Sequence, residues 1–203
     1  MGAKNIGDIK EICDLVKPTY GVLTAIGPQH LETFKTIENV KKTKLELIDS
    51  LPEDGIAFVN GEDENIRDIN FKGNTIKFGT SEECDYYAEN VNIDEFGSSF
   101  DIIMKSGRKI HVKTKLLGTH NIINIVGAVA VANELGLSEN EIIRGIRFLK
   151  PVTHRLELKR NPNGSIIIDD AYNSNVKGAK TALEVLKTFE NMKKILITPG
   201  IVD

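Results

Sequence analysis

Gly21-Val22-Leu23-Thr24-Ala25-Ile26-Gly27-Pro28-Gln29-His30-Leu31-Glu32 is a short apolar run that stops at Gly-Pro and delivers an imidazole. Residues 21–26 are too few for a helix, and Gly27-Pro28 breaks the run, so it reads as a buried strand ending in a loop with His30 just past it. Thr36 then caps a helix that continues through Lys44 to Leu51, with Pro52 closing it and Glu38, Lys42 and Glu46 on exposed turns. Strand, loop and helix in that order build parallel sheets. Upstream, Ile9, Ile12, Leu15 and Val16 recur at helical spacing until Pro18 stops them. Downstream, residues 55–60 read as a strand, 62–69 as a short helix and 74–78 as a further strand. The expected fold class is α/β with a mainly parallel sheet.

Between Asp85 and Leu117 the pattern changes to extended segments, with Ser106-Gly107 as the turn between residues 100–105 and 109–115, an antiparallel hairpin region. A long helix over 120–135 carries Ile122, Ile125, Val126, Val129 and Ala130 on one face and ends at Gly136. Ser138 and Glu141 cap the next helix, and Pro151 ends this half. From His154 the chain restarts with a strand, a turn at Asn163-Gly164, an apolar strand at 166–168, a helix over 177–189 and a strand at 195–198. That order predicts the opening β-α-β unit of a partial Rossmann-like domain, giving one unit over 1–151 and a second over 152–203.

The chain has 203 residues, 40% hydrophobic and 27% charged, with a formal net charge of -3. This is the composition of a soluble globular protein, with no basic block to bind nucleic acid and no apolar run of the roughly 20 residues that a membrane helix needs. Cys13 and Cys84 stand far apart with no metal-ligand spacing, which fits a reducing, cytoplasmic setting.

Three segments carry candidate chemistry. His30 sits past the carboxyl end of a strand, where open α/β sheets bind ligands, although a histidine there also serves simply as a surface residue. Lys44 lies on the following helix, where pattern alone makes it a solvated lysine. In Gly118-Thr119-His120-Asn121-Ile122-Ile123-Asn124, two carboxamides three residues apart share a helix face and suit the edge of a nucleobase, while Thr119 or Asn121 equally serves as a helix cap. Asp169-Asp170-Ala171-Tyr172-Asn173-Ser174-Asn175 follows an apolar strand; its acids suit ribose hydroxyls or a metal, and its polar residues equally suit a turn.

Taken in order, these segments resemble the Mur ligases, over nearly the whole chain. Residues 1–9 are similar to the stretch after that family's metal-binding glutamate, and 24–32 to its T-N-I-G-x-x-H-L-E stretch. Lys44 takes the place of its modified lysine, residues 120–124 match H-N-x-x-N, and 169–175 match D-D-x-Y-N-x-N. The resemblance implies ATP-dependent activation of a carboxylate to an acyl phosphate, attack by an amine, and release of ADP and phosphate, with two Mg2+ ions. It implies His30 as a magnesium ligand and a carbamylated Lys44 as a ligand of the second metal, these two being the catalytic residues. It further implies Asn121 and Asn124 at adenine, Asp170 at ribose, Arg155 at the phosphates, and Tyr172, Asn173 and Asn175 in the same nucleotide-binding motif. The implied partners of the intact enzyme are a UDP-muramoyl-peptide and D-alanyl-D-alanine.

The 203 residues contain no Gly-rich loop ending in Gly-Lys-Thr/Ser, so the expectation is a fragment that is inactive by itself. Thr153-His154 stands where the related ligases carry glycine, and Thr198-Pro199-Gly200 replaces their Gly-Asp, which marks a divergent branch. Competing readings are a relative acting on another amino compound, including the folylpolyglutamate and cyanophycin types, and a noncatalytic binding module. A zinc-containing amidating relative is disfavoured by the two separated cysteines.

Overall fold

The computed structural model describes residues 1–172 and 176–198, the last segment without the side chains of 176 and 177. Its elements run α1 (Asp8–Val16), β1 (Tyr20–Leu23), α2 (Leu31–Phe34), α3 (Ile37–Asp49), β2 (Ile56–Asn60), β3 (Asn74–Gly79), β4 (Tyr86–Asp94), β5 (Gly97–Ile103) and β6 (Lys109–Thr114). They continue with α4 (Thr119–Glu134), α5 (Glu139–Arg147), β7 (Glu157–Arg160), β8 (Ile166–Asp169) and α6 (Val176–Thr188).

Strands β1 to β6 form one sheet in sequence order, and β7 and β8 form a second. The pairs β1–β2, β2–β3 and β3–β4 are parallel, and β4–β5 and β5–β6 antiparallel. Parallel neighbours normally need a long crossover. Residues 80–85 suffice between β3 and β4 because the two strands overlap only at Phe78↔Tyr86 and Gly79↔Tyr87.

Alternation along β2 sends Phe58 to one face and Ala57 and Val59 to the other, and all three are fully buried. The Phe58 face packs with Phe78, Phe100 and Ile102 under Ile122, Val126 and Val129 of α4. The opposite face packs with Val40 and Ile48 of α3. Each of these large side chains contributes about 1.5–3 kcal/mol of transfer free energy. At Gly127 the helix approaches so closely that a Cβ would stand 2.8 Å from the Phe78 ring. A third cluster joins Leu117, Leu156, Val185 and Phe189, so the segment after Pro151 is seated on the end of β6 and its connection to α4.

The expected caps form. Thr36 Oγ1 accepts from the Asn39 amide, and Ser138 and Glu141 close a reciprocal capping box. Helix α4 ends with the Leu137 amide donating to Ala132 and the Gly136 amide to Asn133, the double closure that satisfies its last carbonyls.

Four local expectations change. Residues 62–69 form a series of turns instead of a helix, because the Asp63 carboxylate accepts from the Ile26 and Asn65 amides and holds the segment against a neighbouring loop. Glu46 is not a solvated residue: its two oxygens accept from the Gly7 and Lys10 amides at 2.7 and 2.9 Å and so cap α1 from another helix. Neither Thr119 nor Asn121 caps α4, whose cap residue is Gly118. Finally, 195–198 take no strand conformation, so β8 and α6 are not completed into a β-α-β unit within the described residues. Ile195, Leu196 and Ile197 are 68%, 62% and 92% exposed, and apolarity without a ladder neighbour does not make a strand.

Candidate functional site

The loop after β1 is held from below by the end of β2. Asn60 Nδ2 donates to the Thr24 carbonyl at 3.0 Å, the Ile26 amide donates to Asp63 Oδ2 at 3.1 Å, and Asn65 Nδ2 donates to the Ile26 carbonyl at 3.3 Å. Beyond this brace His30 takes left-handed backbone angles (φ 48°, ψ 43°) and starts α2, its carbonyl accepting from the Thr33 and Phe34 amides. Its side chain is half exposed, with Nδ1 3.4 Å from Glu32 Oε1. The Glu32 carboxyl is held below its usual pKa, first by its own backbone amide and then by His30.

Lys44 is half-buried on α3, with Nζ 3.4 Å from the Met1 carbonyl. An ammonium cannot ligate a cation; N-carboxylation by carbon dioxide makes the same position an anionic oxygen ligand. The imidazole of His30 is an acceptable ligand for a divalent ion as it stands. Each residue by itself therefore offers a donor of the type a divalent cation takes, Lys44 only when carbamylated.

A second group assembles where α4 meets the segment after Pro151. The chain enters α4 through Gly118 at φ 90°, a conformation open to glycine, and a Cβ there would stand 3.0 Å from the His120 ring and 3.2 Å from Leu156. The protein surrounding His120 pushes its imidazole pKa down, and the Asp170 charge acts in the opposite direction. Asn121 Nδ2 donates to the Leu117 carbonyl at 2.7 Å, while Asn124 is exposed one turn later.

Across from them, His154 and Leu156 both adopt positive φ, 62° and 46°. Such backbone costs about 1–3 kcal/mol per residue and persists where the surroundings fix it. The fixing groups are explicit. Asp170 Oδ1 accepts from the Leu156 amide at 3.1 Å, the Tyr172 amide donates to the His154 carbonyl at 3.1 Å, and His154 Nδ1 lies 2.8 Å from Asp169 Oδ2. Arg155 places its guanidinium 4.4 Å from the centroid of the Tyr172 ring.

The structure thus relates His120 to Asp170 through charge and Arg155 to Tyr172 through the ring contact, with Asn121 bonded to the Leu117 carbonyl at the entrance to α4. Among the described residues no hydrogen bond or ion pair joins His30 or Lys44 to them. Asn173 and Asn175 lie outside the described residues.

Sequence reasoning missed Asp169 as an anchor. Lys159 Nζ sits 2.6 Å from Asp169 Oδ2 and 3.2 Å from Glu157 Oε2, and this ammonium, followed by His154, lowers the Asp169 pKa to about 2. His154, Glu157 and Asp169 have the donor types and proximity of a metal site, but the chain supplies its own cation to them in Lys159. The signal was present in the doubled acid, Asp169-Asp170, without an indication of which faced inward to the backbone.

Residues 1–132 match the family described as Mur ligase middle domain. The UDP-N-acetylmuramoyl-tripeptide–D-alanyl-D-alanine ligase of Bacillus subtilis is 30% identical over 200 residues, 98% of this chain and 43% of that protein. A UDP-N-acetylmuramate–L-alanine ligase of Dictyoglomus turgidum is also 30% identical, over 88% of this chain and 39% of that protein. Among solved structures, the MurF ligase of Thermotoga maritima in complex with ADP superposes with a TM-score of 0.82 at 28% identity, covering 93% of this chain and 44% of that one. MurF of Acinetobacter baumannii gives the same TM-score at 27% identity, covering 93% and 41%. The chain therefore spans less than half the length of the relatives it matches. With the middle-domain match covering most of its residues and the fold agreeing, the chain belongs to the Mur ligase family.

Proposed function

We propose that this chain is part of an ATP-dependent ligase of peptidoglycan-precursor synthesis that joins a UDP-muramoyl-tripeptide to D-alanyl-D-alanine. The observation that carries the reading is the agreement of backbone and sequence, over almost the whole chain, with relatives named for that reaction. In this reading residues 1–151 belong to the middle, ATP-binding domain and 152–203 begin the C-terminal domain, with the whole enzyme cytoplasmic.

The carboxylate of the muramoyl peptide takes the γ-phosphoryl group of ATP, giving an acyl phosphate and ADP. The amino group of the dipeptide then attacks the acyl carbon, and phosphate leaves as the amide forms. Bound Mg2+ supplies charge neutralisation at the phosphates. Of the two ions, His30 would hold one through its imidazole, and Lys44, once carbamylated, would hold the other from a helix capped by Thr36. Asn121 and Asn124 face adenine with a donor and an acceptor each. Asp170 binds the ribose hydroxyls, and Arg155, braced on Tyr172, reaches the phosphates. Asn173 and Asn175 belong to the same nucleotide motif.

An acceptor other than D-alanyl-D-alanine is the second reading, favoured by the equal 30% identity to the L-alanine ligase. The full-length protein, incubated with ATP and each candidate pair, decides between them by mass spectrometry of the UDP-linked product. A mass increase equal to alanyl-alanine less water supports the first reading; an increase equal to alanine less water on UDP-muramate supports the second.

A further inference from the structure

We infer that Asp63, with Asn60 and Asn65, positions the His30 loop for metal binding. This rests on the reading of His30 as a ligand. Asp63 and Asn60 are each only 9% exposed, uncommon burial for such polar side chains. Their polar atoms are spent on one target. Asn60 holds the Thr24 carbonyl, Asp63 the Ile26 amide and Asn65 the Ile26 carbonyl. The remaining oxygens of the first two turn back on their own segment, Asn60 Oδ1 accepting from the Glu62 amide and Asp63 Oδ1 from the Asn65 amide, which fixes these two side chains before the loop is engaged. A structure needing only to end β1 requires one such bond. Three, spaced over residues 24–26, fix the direction in which the chain leaves the strand toward Gly27-Pro28 and His30.

Beyond the brace the next anchor is Phe34, 2% exposed and packed with Val40 and Val59, with its carbonyl accepting from Asn39 Nδ2. The backbone hydrogen bonds of residues 29–36 are local, within and around α2, and His30 itself starts α2 with a left-handed backbone. His30 thus lies between two fixed points, the brace at residues 24–26 and the buried Phe34, and the brace is the one that sets its approach from the strand. The carboxylate is the appropriate centre of it: two amides converge on Asp63, and an aliphatic residue of similar size leaves both without acceptors in a buried position. Asp63 touches no nucleotide and no metal in this account; it is a positioning residue that acts through Ile26.

The test uses the full chain, with Lys44 carbamylated in bicarbonate, and Mn2+ as the probe. Paramagnetic broadening of the His30 ring protons is followed as Mn2+ is added, alongside hydrogen exchange at the Ile26 amide. In Asp63→Ala the Ile26 amide exchanges faster and the Mn2+ concentration for half-broadening rises about ten-fold, the usual effect of removing a group that orients a ligand. Asp63→Asn, which keeps an oxygen toward Ile26, stays close to the unmodified chain. A folded Asp63→Ala protein that titrates like the unmodified chain overturns the inference. If circular dichroism shows Asp63→Ala unfolded, Asn65→Ala, which removes only the bond to the Ile26 carbonyl, takes its place, and unchanged broadening there overturns it equally. Absence of any His30 response in the unmodified chain defeats the ligand reading itself, a different outcome from a response that ignores Asp63.

Discussion

Arg155 rests its guanidinium on the ring of Tyr172, with Cζ 4.4 Å from the centroid, and the Tyr172 amide bonds back to the neighbouring His154 carbonyl. A flexible cation is thereby given one direction by a residue that sits just beyond the Asp169-Asp170 pair. Tyr172 is 65% exposed, so the stacking energy is that of a surface cation–π pair, about 0.5–1 kcal/mol. Tyr172→Ala is expected to lower stability by that amount and Tyr172→Phe to leave it nearly unchanged. A urea-unfolding cycle with Arg155→Ala checks the coupling, and additivity of the two substitutions contradicts it.

Asp169 makes stability depend on acid. Lys159 first and His154 second hold its pKa at about 2, below the ordinary 3.8. A carboxylate with a depressed folded-state pKa contributes stability that is complete above its unfolded-state pKa and disappears as pH falls through the folded-state value. The difference in urea midpoint between the unmodified chain and Asp169→Asn should therefore shrink between about pH 4 and pH 2. A difference that is constant across that window contradicts the ion-pair assignment.

Gly127 sets two effects against each other. Alanine in a helix gains up to about 1 kcal/mol over glycine, whereas overpacking a core costs about 1–3 kcal/mol. The new Cβ would stand 2.8 and 2.9 Å from two ring atoms of Phe78, a ring with no exposed surface to move toward. Packing wins, and Gly127→Ala should lower the thermal midpoint. A midpoint equal to or above the original shows that α4 can lift from the sheet.

Lys44 is expected to take up carbon dioxide. In 13C-labelled bicarbonate the chain should give one carbamate carbonyl resonance that Lys44→Arg removes, since a guanidinium does not form it. Persistence of the resonance in Lys44→Arg assigns it to another amine and removes Lys44 from the proposed metal site.

The sheet was legible because its signals are local. The largely apolar run before Gly27-Pro28, the Thr36 cap and the Ser138–Glu141 box each act within a few residues; both capped helices formed where indicated, while the strand expected over 21–26 formed as Tyr20–Leu23. The failures involve partners distant in sequence. Glu46 reads as a surface acid until α1 is placed beside it, and residues 62–69 read as a helix until Asp63 is drawn to Ile26. Residues 195–198 carry strand composition without becoming a strand, because a ladder is a property of two segments.

Of the site, the segments 120–124 and 169–175 were legible as motifs, and the fold sets the Asp170 charge to act on His120 and the Tyr172 ring against Arg155. Motif spacing did not reveal that Asp169 is anchored by Lys159 and His154 while Asp170 holds the Leu156 amide. Those roles depend on the positive-φ turn at His154 and Leu156, which no local composition announces.

The most direct test of the proposed ligase is ADP release by the full-length protein under substrate omission. ATP, UDP-muramoyl-tripeptide and D-alanyl-D-alanine together should release ADP, omission of either co-substrate should reduce release to background, and the 203-residue chain alone should release none. Release of ADP with UDP-muramate and L-alanine, and none with the tripeptide pair, would contradict the account.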